Sequence, residues 1–376
     1  MYITTYRSKQ TARNRYLSYY DIMSNNTEPI SEEDLIYYKQ TMFIENPTPR
    51  NELSENQQAQ IRRAELGIVE IFMLLRDFEE NHEEQYYSFR IPKHSGGFRT
   101  INAPNPEFKE ALTKVKNILE DIKCLPHASA YAYIKGQSTL NALEKHQANN
   151  SHWFLKIDLE DFFGKCTPEL IYNQLLSLYP FYYFEPENKE CLLRSIKIMC
   201  LNNGLPQGTP TSPILTNLLM VPFDYQISNK LKRGTQGDHF VYTRYADDML
   251  NSCKSDFDYE QIINHIKSII QPHFRIKTQK TRYGSRAGTN WNLGLMLNKD
   301  NNVTLGHRKK KLLNAMLNNF LRDYSQNRHW TRTDIYELQG QLSYLKHIEP
   351  VSYEYILQKY ETKYQIRYAD ALKNSL

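Results

Sequence analysis

Two adjacent carboxylates interrupt a run that otherwise reads as sheet. In "VYTRYADDMLNSC", residues 241–253, Val241, Tyr242, Thr243 and Tyr245 precede Asp247 and Asp248, and Met249 and Leu250 follow. Successive side chains on a strand point to opposite faces, so a plain strand offers one of the two acids to a given site but not both. A tight turn offers both. A solvated hairpin meets that condition without any chemistry, because Asp is common in turns. The other reading places a cation between the carboxylates.

A second acid-bearing strand end occurs in "FLKIDLEDFF", residues 154–163, where Asp158 closes an apolar approach and two aromatics follow. If the two strands are neighbours, three carboxylates meet at one sheet edge, and their repulsion calls for a divalent cation. Two Mg²⁺ ions held by carboxylates and substrate phosphates relieve it, and they are the equipment for in-line phosphoryl transfer. Two unrelated surface turns are the alternative. Between the blocks lies "NNGLPQGTPTSPILTNLLM", residues 202–220, a Gly- and Pro-rich approach to a helical run. Ser212 is the expected N-cap of that helix and Pro213 its first residue.

Upstream, residues 56–80 place Ile61, Leu66, Ile68, Ile71, Leu74, Leu75 and Phe78 near helical spacing. "YYSFRIPKHSGGFRTINAPN" predicts a hairpin turning at Gly96 and Gly97 with basic residues on both arms, and "PEFKEALTKVKNILEDI" a helix opened by Pro106. Residues 1–57 are polar and read as short helices joined by loops, a candidate docking extension.

The net charge of +5 is unevenly spread: from Arg275 to Arg332 thirteen Lys or Arg face two Asp, so the rest of the chain is net acidic. "GHRKKKLL" suits a phosphate backbone better than a membrane, since no apolar anchor accompanies it, although a solvated helix face reads the same. No stretch approaches the roughly 20 apolar residues of a membrane span. Five widely spaced cysteines without a C-x-x-C argue against a disulfide framework or a zinc site, and a reducing, cytoplasmic compartment is the expectation.

Taken in order, the IDLEDFF, LPQGTPTSPILTN and YADD blocks resemble those of a reverse transcriptase, and more closely of the bacterial retron and defence-associated enzymes than of viral ones. The resemblance covers roughly Tyr86 to Leu345. It implies an α+β, right-hand polymerase: an N-terminal extension over 1–57, fingers over 58–150, a palm with an antiparallel sheet flanked by helices over 151–290, with fingers elements near 165–205, and a primer grip and helical thumb over 291–376. By motif match Asp158, Asp247 and Asp248 become the catalytic carboxylates that hold two Mg²⁺ ions. Phe163 takes the place of the steric gate under the sugar 2′ position, and Gln207 that of the residue contacting incoming nucleotide and template. Lys93 and Arg99 match the fingers cations on the triphosphate. Lys280 falls where a general acid for pyrophosphate would sit, with an ordinary surface lysine as the other reading. "WNLGLML", residues 291–297, resembles the primer-grip hairpin, and Arg308, Lys309, Lys310 and Lys311 open the thumb against the duplex backbone.

Retron enzymes carry an Asn-Ala-x-x-His element and a Val-Thr-Gly element. This chain has "NALEKH", Asn141 to His146, with one residue more, and "NLG" at 292–294. These departures favour a neighbouring defence-associated group. The absence of a long maturase or Cys/His-rich nuclease tail argues against a group II intron enzyme. The expected function is a Mg²⁺-dependent DNA polymerase that uses dNTPs to copy a dedicated noncoding RNA into a DNA product in antiphage defence, with an effector protein as a further candidate partner. Template-independent or protein-primed synthesis is one alternative, and an RNA-bound scaffold restraining a toxic effector is another. Three intact acids argue against a pure scaffold.

Overall fold

The computed structural model describes residues 48–92, 96–233, 239–286, 290–291 and 294–376, so the expected N-terminal extension up to residue 47 and the candidate Lys93 lie outside the described residues. The first long helix, α1 (Glu55–Leu75), starts where Ser54 and Gln57 form a reciprocal capping box. It buries Ile61, Ala64, Ile68, Ile71 and Leu75 at helical spacing. Leu66, expected on that stripe, is instead 71% exposed, because its position falls on the opposite face. The predicted hairpin forms as β1 (Tyr86–Pro92) and β2 (Phe98–Pro104), paired antiparallel with Tyr86 opposite Pro104. Asn105 then caps α2 (Pro106–Asp121) by accepting from the Phe108 amide.

Helix α3 (Thr139–Ala148) leads into β3 (Trp153–Asp158), followed by α4 (Pro168–Leu176), α5 (Pro186–Met199) and α6 (Ser212–Arg233). The helix α6 begins one residue earlier than expected, and Ser212 does not cap it. Its hydroxyl donates to the Pro206 carbonyl at 2.8 Å, which ties the LPQG loop to the helix start. Strands β4 (Val241–Tyr245) and β5 (Asp248–Cys253) form the hairpin read from the sequence; α7 (Tyr259–Ile270), β6 (Arg282–Ser285) and the short pair β7 (Met296–Leu297) and β8 (Val303–Thr304) follow. Four helices close the chain: α8 (His307–Ser325), α9 (Arg332–Ile348), α10 (Pro350–Tyr364) and α11 (Tyr368–Ser375).

The central sheet has the order β4-β5-β3-β6, with every neighbouring pair antiparallel. Alternation along its strands divides the molecule. Leu155, Ile157, Met249 and Cys253 enter a core shared with α1, α2 and the helices α4 to α7. Phe154 and Leu250, on the other face, join a second core with Trp291 and the C-terminal helices. Each fully buried aliphatic or aromatic side chain contributes about 1.5–3 kcal/mol of transfer free energy. The sheet is therefore held from both sides. No helix among the described residues is long and apolar enough to cross a membrane.

Candidate active site

The register sets Asp158, the last residue of β3, directly opposite Asp248, the first residue of β5. Residues directly opposite in an antiparallel pair share a face, so both acids project on the side of Phe154 and Leu250. Asp247 reaches the same end by another route. It lies with Ala246 in the two-residue turn between β4 and β5, where Ala246 takes φ +56°, a region L-residues rarely adopt outside turns. The Leu159 amide donates to the Asp247 carbonyl at 3.2 Å and pins the turn to the end of β3. One acid on a turn and its neighbour on a strand is how adjacent carboxylates serve one site.

Electrostatics at this end are unbalanced toward negative charge. Burial, then the charge of Asp248 and that of Asp158, push the Asp247 carboxyl above its usual range. Two lysines lean on the other acids. Lys280 Nζ donates to Asp158 Oδ2 at 2.9 Å, and that bond holds the ammonium above its ordinary value. Lys156 Nζ lies 3.0 Å from Asp248 Oδ1, an ion-pair contact without hydrogen-bond alignment, so this buried oxygen lacks a hydrogen-bond partner. Among the described residues no three His, Cys, Asp or Glu side chains close around one point as a finished metal site. The donor set is nevertheless all oxygen, with one buried oxygen unbonded and one carboxyl strained by like charge. Such a set suits a hard divalent cation that takes its remaining ligands from substrate phosphates.

Residues 91–334 match the family described as reverse transcriptase (RNA-dependent DNA polymerase). The retron Ec83 reverse transcriptase of Escherichia coli is 28% identical over 288 residues, covering 73% of this chain and 86% of that protein. The retron Ec86 reverse transcriptase of Escherichia coli is 31% identical over 273 residues, covering 71% and 78%. The chain belongs to the reverse transcriptases, as a bacterial enzyme of the retron type. Its fold is accordingly the right-hand polymerase expected from the motifs, and its activity is RNA-directed DNA synthesis. The two departures from the retron elements therefore do not move it to a neighbouring group. In the first, His146 is a core residue: fully buried, its Nδ1 is 2.6 Å from Ser252 Oγ and its Nε2 2.8 Å from Thr243 Oγ1. Burial pushes its pKa down to about 3, so the imidazole is neutral and ties α3 to β4 and β5. In the second, residues 292 and 293 lie outside the described residues.

Beneath the hairpin of this reverse transcriptase lies a charged network that the motif reading missed. Arg244 and Asp224 are both fully buried, with Arg244 Nη2 2.8 Å and Nε 2.9 Å from the Asp224 carboxylate. Tyr242 Oη donates to Asp224 at 2.7 Å, and Arg244 Nη1 donates to the Ala246 carbonyl at 3.1 Å. The guanidinium thus holds the strained turn from below. Removing one partner of such a pair costs about 3–5 kcal/mol, because the other is left as an uncompensated buried charge. The signal was present: one Asp inside the apolar run "NLLMVPFDYQI" and one Arg inside a strand. Lys156 was also legible, since it precedes Asp158 by two residues and must share its face.

The remaining candidates lie on other segments. Phe163 is half-buried just beyond β3, its ring 5.7 Å from that of Phe162, and its carbonyl accepts from the Leu205 amide at 2.9 Å. A Cβ on Gly204 would lie 2.6 Å from the Gly164 carbonyl oxygen, so glycine there lets the LPQG loop approach the Phe163 segment. Gln207 is half-buried, and its carbonyl accepts from the Asn102 amide of β2 at 2.9 Å. Gly208, at φ +117°, permits the same docking, because a Cβ there would meet Ile101 at 2.8 Å. Arg99 is exposed on β2. The basic run on α8 divides: Arg308 and Lys311 are exposed, whereas Lys310 pairs with Glu349 at 2.8 Å and Lys309 lies 5.2 Å from the centroid of the Tyr344 ring.

Proposed function

We propose that this reverse transcriptase copies a dedicated noncoding RNA into DNA in antiphage defence in the cytoplasm, with Asp158, Asp247 and Asp248 as its metal-holding catalytic acids. The observation that carries the catalytic reading is the pairing of Asp158 with Asp248 across β3 and β5, with Asp247 on the adjoining turn. Two Mg²⁺ ions bound there would lower the pKa of the attacking hydroxyl and stabilise the departing pyrophosphate. Lys280 and Lys156, which contact Asp158 and Asp248, would give up those oxygens to the ions, and Lys280 would be the proton donor to the departing pyrophosphate. Phe163 excludes the 2′-hydroxyl of ribonucleotides by bulk. Gln207 bears on the incoming nucleotide, and Arg99 with Lys93 holds its triphosphate. We assign residues 58–150 to fingers, 151–290 to palm and 291–376 to primer grip and thumb. The noncoding template and the defence role are proposed from the resemblance to retron and defence-associated enzymes, and the matched relatives are retron reverse transcriptases.

The test is to purify the wild-type protein and Asp247→Asn/Asp248→Asn from the native host and sequence what copurifies. The expected outcome is one noncoding RNA with both proteins, and DNA complementary to it with wild type alone. Asparagine keeps side-chain volume and removes the charge for the cations, so the double variant folds and incorporates no nucleotide. DNA with no RNA complement would point to template-independent synthesis, and undiminished synthesis by the variant would remove the acids from the mechanism. An effector held in the same complex would appear among the copurifying proteins.

A further inference from the structure

The free edge of the sheet beyond β4 is covered by a short ribbon from the fingers side. The Arg244 amide donates to the Ser129 carbonyl at 2.6 Å, and the Tyr131 amide donates to the Arg244 carbonyl at 2.9 Å. This bridge pairs Ala130 with Arg244 in parallel. Because the ribbon runs parallel to β4, the residues just after it come level with the turn at Ala246 and Asp247. Tyr131 and Ala132 are buried, and Asn217 Nδ2 donates to the Ala132 carbonyl at 2.7 Å. Asn217 also receives both terminal nitrogens of Arg244, at 3.4 Å each. One buried network therefore fixes the catalytic turn and this ribbon together.

Tyr133 is the next residue, and it breaks both local rules. Its φ is +62°, a conformation that costs a tyrosine energy with no side-chain return of the kind Asn obtains. Its ring, at the end of a buried ribbon, is 52% exposed. Strain of this kind persists where the surroundings over-determine it, and it concentrates at functional sites. Partial burial and then the charge of Asp247 raise the Tyr133 hydroxyl above its ordinary value, with Arg99 and Arg244 opposing them. An exposed aromatic residue thus ends the ribbon at the β4 edge, level with the turn that carries Asp247.

We infer that the ring of Tyr133 is the platform on which the templating nucleobase of the RNA packs as it pairs with the incoming nucleotide. The direction follows from the sheet order. Chain leaving β6, at the far edge, runs into Trp291 and β7, the segment resembling a primer grip, and Trp291 stacks on Phe154 under that side. Primer approaches from the β6 edge. Tyr133 follows the ribbon paired to β4, at the opposite edge of the sheet, which leaves it the template side of the new pair. Aromatic faces accept any base, so a ring there supports pairing without imposing sequence. The inference rests on Asp158, Asp247 and Asp248 being the catalytic centre.

The experiment uses the full-length protein, a defined RNA template annealed to a DNA primer, and single dNTPs. Tyr133→Asn removes the ring while relieving the backbone, since Asn adopts the left-handed region readily. It melts no lower than wild type, raises the KM for the correct dNTP about tenfold or more with kcat within about twofold, and increases misincorporation, the scale expected for a lost stacking contact. Tyr133→Phe, which keeps the ring, restores most of the difference. Wild-type KM and fidelity in Tyr133→Asn overturn the inference, as does a Tyr133→Phe variant equal to Tyr133→Asn. A second measurement needs no variant. Template carrying 4-thiouridine at the templating position crosslinks to the peptide containing Tyr133 on irradiation, and crosslinks confined to other peptides also overturn it. Failure of the acid assignment is separate: it appears as synthesis retained in Asp247→Asn/Asp248→Asn on the same primer and template.

Discussion

At the residue scale, bulk and burial do different work at Phe163 and His146. The half-buried ring of Phe163 is held by the Leu205 bond and by Phe162, so replacing it by Ala opens space without dissolving its segment. Phe163→Ala is expected to incorporate ribonucleotides, read as a fall in the ratio of dNTP to rNTP use. An unchanged ratio with activity retained would place the gate on another side chain. His146 sets a pH limit instead. Its folded pKa of about 3 lies below the ordinary 6.5, so between those values the unfolded chain binds a proton that the folded one refuses. The stability it allows is complete above pH 6.5 and is lost as pH falls toward 3, by about 2 kcal/mol at pH 5. His146→Gln should flatten the decline in melting temperature between pH 7 and pH 5; parallel profiles for the two proteins would contradict this.

Helix α8 shows how an element sorts like residues into different duties. Four consecutive cations point around most of a helix circumference, so they cannot all meet one duplex. Lys310 spends its charge on Glu349 and Lys309 packs over Tyr344, both inside the C-terminal helical unit, while Arg308 and Lys311 face solvent. Arg308→Gln/Lys311→Gln should reduce the salt dependence of RNA binding by about one to two units in the slope of log K against log salt. Lys310→Gln should leave the slope near wild type and lower the melting temperature, because Glu349 would lose its cation. Equal slopes for the Arg308/Lys311 variant and wild type would make the run a solvated face. The measurement is a binding titration at several salt concentrations with the copurifying RNA.

For the molecule as a whole, the sheet between two cores joins the C-terminal helices to the end that carries the three acids. Phe154 and Lys156 precede Asp158 on one face of β3, and Phe154 stacks on Trp291 at 5.4 Å between centroids. Trp291→Ala should cost about 3–5 kcal/mol, the range for truncating a buried aromatic. It should also weaken primer–template binding at temperatures where the protein stays folded, because the segment leading from β6 loses its anchor on the sheet. Leu338→Ala, within the C-terminal core, is the contrast: it should cost about 2–5 kcal/mol with affinity nearly unchanged. Thermal melts paired with binding titrations separate the two. Equal affinity losses would mean that the thumb core, not its junction with the sheet, sets the grip.

The sequence by itself determined the local elements and the family. The helix over residues 56–80, the helix opened by Pro106, the β1–β2 hairpin and the tight turn at the paired acids are short-range matters of backbone preference, and three ordered blocks were specific enough to name the family. Alternation in "FLKID" likewise fixed which residues share a face with Asp158. Only the tertiary structure decided which charges meet. Asp224 and Arg244 are 20 residues apart in the chain, Asp158 and Lys280 are 122 apart, and no periodicity within one element encodes such a pairing. Tyr133 was invisible for the same reason: its chain position says loop, and its importance comes from a parallel bridge to β4 that sets it beside the turn. Long-range pairing depends on how two faces of one sheet are covered at once, a property of the packed core and not of any window of sequence.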